Sequence, residues 1–152
     1  AWDDIYILQT SVAFGLLVRN MHRWGAHLMV LSVFLHMARV FYHGAYKPPR
    51  EFNWVIGVIL LTLTLLLSFT GYLLPWDQLA LWAVTVSTNM MGYTPVFGDQ
   101  VRFVLLSGRE IGTDTLLRWY VLHVLFVPFV TVIFLAIHFW RVRKDGGISG
   151  PL

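Results

Sequence analysis

Of 152 residues, 57% are apolar, 16% aromatic and only 12% charged. A soluble domain carries about 25% charge, so the composition excludes an ordinary soluble globule and points to a membrane protein. The absence of cysteine excludes disulfides, zinc–thiolate sites and iron–sulfur ligation by this chain, and a net charge of +3, spread over loops and ends, predicts no nucleic-acid partner.

The chain opens on AWDDIYILQT, with neither an initiator Met nor a basic signal region, and is expected to be a piece of a longer protein. Residues 1–20 are too charged to span a bilayer and read as an amphipathic segment lying on its surface. Three runs then reach the roughly 20 apolar residues that a crossing needs: about 24–42, about 54–74 and about 118–140. The first ends at the turn signal HGAYKPPRE and the second at Pro75. The third contains Pro128, which predicts a kink or a loosened hydrogen-bond ladder, and closes on RVRKDGG. The intervening loop, 75–117, is long enough to imply a function. Its patches LALWAVTV and VRFVLL predict short surface helices. The basic residues Lys47, Arg50, Arg141, Arg143 and Lys144 fall on one side of a three-span chain, predicting that side as cytoplasmic or its equivalent.

Histidines mark two of the spans. His22 and His36 are fourteen residues apart on the first, and His123 and His138 fifteen apart on the third. At 100° per residue, these intervals return to within about 40° and about 60° of the starting direction. Each helix therefore presents both imidazoles to one side, about 21 Å apart along its axis. The two helices run parallel, so His22 is expected level with His123 and His36 level with His138. Ionisable residues at membrane depth default to function, and paired neutral imidazoles suit a haem iron with both axial positions filled. His27 points about 140° away from His22 and His43 sits at a membrane edge; both are expected to be packing or interfacial residues. Gly57 and Gly71, also fourteen apart, are expected to clear space for a flat macrocycle. Arg19, Arg23, Arg39 and Arg118 lie near the two histidine levels, either as partners for propionates or as interfacial side chains that snorkel.

The motifs HRW…LH..RV, GAYKPPRE..WV.GV, TGYLLPWDQ..LWAV and HFW..RK..GISGPL resemble the N-terminal haem-binding half of the cytochrome b family, and most closely its split b6 type. The resemblance covers nearly the whole chain in order; the extra glycine in DGGISG is a small departure. It implies an all-α membrane protein, with three transmembrane helices of a haem-binding four-helix-bundle type and surface helices in the long loop. Residues 1–20 correspond to the segment after the family's first helix, which does not occur in these residues.

The resemblance further implies two haem b groups, of low potential at His22/His123 and of high potential at His36/His138. A third, covalent haem cannot be assigned, since the cysteine that holds it in some b6-type members does not occur here. Tyr72, Leu79, Trp82, Ala83 and Val86 match a quinol-oxidising site, and Arg143 matches a quinone-reducing site near the high-potential haem. The family's Pro-Glu-Trp-Tyr motif is absent here, so the resemblance implies a C-terminal cytochrome b half or subunit IV-like partner. The other implied partners are a Rieske-type iron–sulfur protein, a c-type cytochrome, a quinone and the lipid membrane, in a dimeric complex. The implied activity is that of an electron-transfer subunit of a quinol:cytochrome c (or plastocyanin-like acceptor) oxidoreductase, coupled to proton translocation. Its setting is a bacterial plasma membrane or an energy-transducing equivalent. The alternatives are a dihaem membrane-anchor cytochrome of a dehydrogenase or hydrogenase, and a haem-free structural or transport subunit. The GYLLPWDQ loop and the order of the histidines argue against the anchor.

Overall fold

Prolines, glycines and side-chain caps set where the helices begin and stop. The computed structural model describes residues 1–147; the Ile148–Leu152 end of the GISGPL motif lies outside the described residues. These residues form helices and turns: α1 (Trp2–Thr10), α2 (Gly15–Tyr42), α3 (Glu51–Leu73), α4 (Gln78–Gly92), α5 (Gly98–Leu106), α6 (Thr113–Val121), a π-helical turn (Leu122–Phe126) and α7 (Val127–Asp145). Three helical stretches are long and apolar enough to cross a membrane: Gly15–Tyr42, Glu51–Leu73 and Thr113–Asp145. Each extends beyond the apolar run read from the sequence. Polar end residues such as Arg19, Asn20 and Arg23 continue the helix without belonging to its hydrocarbon-length core.

The chain divides into two compact units, one of Ala1–Arg19 with Ser68–Phe126, the other of Asn20–Leu67 with the chain from Val127 on. In the first unit, Gly15 lies so close to the Leu8 carbonyl that an added Cβ would overlap it. That approach lets α1 fold back beside the start of α2. α3 stops just before Pro75, and Asp77 then caps α4, its carboxylate accepting from the Ala80 N–H at 2.8 Å. Gly98, at the start of α5, packs against the Gly92 backbone with no room for a side chain. α5 ends at Ser107 in the left-handed conformation, its N–H donating to Phe103.

The Thr115 side chain joins two of these elements, donating to the Leu106 carbonyl at 2.5 Å and accepting from the Gly112 N–H at 3.0 Å. Leu73, Ala80, Val84 and Trp119 form the unit's core, flanked by Phe69, Trp76, Ala83, Leu105, Ile111 and Leu122. Trp119 is only 2% exposed and meets Phe69 edge-on, ring centroids 5.7 Å apart. Trp119→Ala is therefore expected to cost about 3–5 kcal/mol, read as a lower midpoint of thermal unfolding in detergent. An unchanged midpoint would mean that this core does not hold the unit together.

In the second unit, aromatic rings tie the turn between α2 and α3. Tyr46 stacks on Phe41 with centroids 5.4 Å apart and meets Trp54 at 5.6 Å. α7 closes on Gly146 and Gly147, whose positive φ angles of 85° and 63° suit residues without a Cβ. The Gly147 N–H donates back to the Val142 carbonyl, ending the helix as a Schellman-type turn does.

The π turn answers the Pro128 expectation. Proline lacks the N–H that would continue the ladder, and its ring crowds the carbonyl four residues earlier. Wider helical hydrogen bonding just ahead of Pro128 accommodates it without breaking the helix.

Candidate metal centre

His36 and His138 come together within the second unit. Their ring centroids are 6.3 Å apart and their planes are nearly perpendicular, at 85°. Metal–imidazole bonds are about 2.0 Å long, so this spacing leaves room for a single ion between the rings. His138 Nδ1 is buried without a hydrogen-bond partner, an exception to the rule that buried polar atoms are satisfied. Among the described residues no group of three or more His, Cys, Asp or Glu side chains could hold a metal. A pair of imidazoles would suit a haem iron, for which the macrocycle supplies the remaining ligands.

A cavity of about 260 Å³ adjoins the pair, with Met37, Arg39, Trp54 and Gly57 among its lining residues. A Cβ added at Gly57 would meet only Met37 Sδ, at 3.6 Å. Arg39 also lines the cavity. Three further residues of the lining were not picked out from the sequence: Arg50, Asn53 and Asp145. Arg50 Nε and Asn53 Oδ1 are buried without partners. Arg50 was read only as loop charge. Its signal was a place beside the two prolines, where a helix start buries it to 8% exposure.

In the first unit His123 lies in the π turn. Its Nδ1 is 3.0 Å from the Thr70 hydroxyl. That contact engages one ring nitrogen and orients the ring, as outer partners of metal-binding histidines do. Gly71 packs against the same ring: an added Cβ would lie 2.6 Å from Cε1, 3.1 Å from Nε2 and 3.2 Å from Nδ1. Here the glycine makes room for the imidazole itself. Arg118 donates to the Val104 carbonyl, and so helps to tie α6 to α5.

His27 and His43 are tied to their own helix. Each Nδ1–H donates to a carbonyl of its own helix, Arg23 at 2.7 Å and Arg39 at 2.9 Å. Arg23 is exposed and Arg19 half-buried. Of the residues matched to quinol oxidation, Leu79, Trp82 and Val86 form an exposed stripe on α4, Ala83 is half-buried against the core, and Tyr72 is exposed at the end of α3. Arg143 is exposed near the end of α7 and is not among the residues lining the cavity.

Residues 27–151 match the family model described as cytochrome b (N-terminal)/b6/petB. The cytochrome b subunit of menaquinol:cytochrome c reductase from Bacillus subtilis (strain 168) is 49% identical over 153 residues, covering 100% of this chain and 68% of the relative. Cytochrome b6 of Cyanidium caldarium is 48% identical over 152 residues, covering 100% of this chain and 70% of the relative. Cytochrome b6 of Heliomicrobium gestii is 45% identical, covering 100% and 71%.

Proposed function

Because this chain belongs to the cytochrome b (N-terminal)/b6 family and is an integral membrane protein, we propose that it is the dihaem electron-transfer subunit of a quinol:cytochrome c oxidoreductase. The observation that carries the reading is the His36–His138 pair, with ring centroids 6.3 Å apart beside a cavity. His22 and His123 are the second pair. The Thr70 contact to His123 Nδ1 supports this assignment, since it orients the ring as outer partners of metal-binding histidines do.

Bound haem supplies one-electron redox chemistry at each pair. The chain's own residues do the rest. The histidines fix the two sites at separate depths, and the apolar helix surfaces keep water from them. Arg19, Arg23, Arg39 and Arg118 provide cationic groups near the haem levels, with Arg50 added by its place in the cavity. The exposed α4 stripe and Tyr72 serve quinol oxidation on the side opposite the basic loops. Quinone reduction takes place near the high-potential haem held by His36 and His138, with Arg143 as the arginine that serves it. Of the two electrons from a quinol, one goes to a Rieske-type iron–sulfur partner and then to a c-type cytochrome or plastocyanin-like acceptor. The other crosses this chain. Protons released on one side and taken up on the other store the energy. A C-terminal cytochrome b half or subunit IV-like chain completes the quinol site in a dimeric complex, in a bacterial plasma membrane or its equivalent.

The test is steady-state reduction of a c-type cytochrome by quinol in the purified assembly. The reading expects this activity, and expects it to vanish in His22→Ala together with part of the b-type absorption band. A b-type band without any quinol-to-cytochrome activity would favour the membrane-anchor cytochrome instead.

A further inference from the structure

His27 and His43 show the simplest arrangement for an imidazole on a helix, each directing Nδ1 to the carbonyl four residues earlier. His123 departs from it. It lies in the π turn Leu122–Phe126, and its Nδ1 meets a side chain 53 residues away, the Thr70 hydroxyl, at 3.0 Å. Thr70 is 0% exposed, so water does not compete for the contact. A hydrogen bond shielded in this way is electrostatically stronger than one in water. Gly71, the next residue, lets the ring lie this close to α3. His138 differs: its Nδ1 is buried without a hydrogen-bond partner. The two histidines of the third span therefore contrast in the one contact that an outer partner supplies.

That contrast bears on redox chemistry. A group that accepts the outer N–H of a metal-bound imidazole raises the basicity of the ligating nitrogen. A stronger donor favours the ion of higher charge, ferric over ferrous, and so lowers the reduction potential. We propose that Thr70 lowers the potential of the haem held by His22 and His123, by accepting the His123 Nδ1–H. The proposal rests on the dihaem reading and deepens it, since the family likeness implies a low potential at this pair without naming its source. Thr70 is a positioning residue that acts through His123. Reduction at this station adds one electron, supplied by the quinol, and moves no proton on either residue. With this station held low, the electron runs downhill to the one at His36 and His138.

The test is a potentiometric titration of the b-type spectrum in the purified assembly, comparing wild type with Thr70→Val and Thr70→Ser. Valine keeps the shape of the side chain and removes the acceptor. In Thr70→Val, the component that His123→Ala abolishes is expected to titrate at a higher potential. The expected shift is about tenfold in its reduction equilibrium, the low end of what loss of an outer partner costs, or about 59 mV for one electron. The other component should keep its midpoint. Thr70→Ser retains the hydroxyl and should return the midpoint close to the wild-type value. An unchanged or lowered midpoint in Thr70→Val overturns the assignment, as does an equal shift of both components. Loss of the component in that variant overturns it too, because the threonine then seats the ring without tuning it. A wild-type assembly with no component that depends on His123 removes the dihaem reading, and the proposal with it.

Discussion

His138→Ala is expected to abolish one of two b-type components outright while leaving the other in place. The ring it removes faces His36 across 6.3 Å, and no cluster of His, Cys, Asp or Glu among the described residues is available to replace it. One imidazole cannot fill both axial positions of an iron. Binding of a cofactor to the folded state alone also stabilises that state, so the variant should unfold at a lower temperature in the haem-loaded assembly. Electron transfer across the membrane should stop, because one of its two stations is gone. The checks are a reduced-minus-oxidised spectrum and a haem-to-protein ratio on the same preparation. His27→Ala is the control. Its Nδ1–H is committed to the Arg23 carbonyl, and its removal should leave both components intact. A His138→Ala assembly with the full spectrum would refute the pairing.

Gly71→Ala should be nearly as damaging at the other pair, although it adds only a methyl group. The new Cβ would lie 2.6 Å from His123 Cε1, closer than such atoms approach. The ring must move, and the 3.0 Å contact with Thr70 must lengthen or break. Overpacking of this kind costs about 1–3 kcal/mol, and the displaced imidazole no longer points its ligating nitrogen as required. The expected result is loss of the b-type component that His123→Ala also removes. Gly57→Ala makes the informative contrast: its Cβ meets only Met37 Sδ at 3.6 Å, so the protein chain itself accepts it. Wild-type spectra from Gly71→Ala would show that the glycine has no part in seating His123.

The long elements were legible because membrane helices announce themselves by length and apolarity, and the histidine intervals by simple helix periodicity. The surface helices α4 and α5 were legible too, from apolar patches in an otherwise mixed loop. What escaped was set by contacts distant in sequence. Thr70 carries no sign in LLLSFTGYLL that its hydroxyl meets an imidazole 53 residues away. Gly71 was read as clearance for a macrocycle, because spacing shows that a glycine leaves room but not what enters it. Arg141 and Asp145 looked like part of a basic tail, since the i, i+4 interval gives no warning that the pair is largely buried. Pro128 predicted a disturbed helix. That the disturbance would be a π turn at His123 depended on how the chain accommodates the missing N–H.

The most direct test of the account is a potentiometric titration of the reduced-minus-oxidised b-type spectrum of the purified assembly. Two components with separated midpoints are predicted, one lost in His22→Ala or His123→Ala and the other in His36→Ala or His138→Ala. A single component, or no b-type band in a haem-replete preparation, would contradict the claim that these four histidines hold a two-station path for electrons through the membrane.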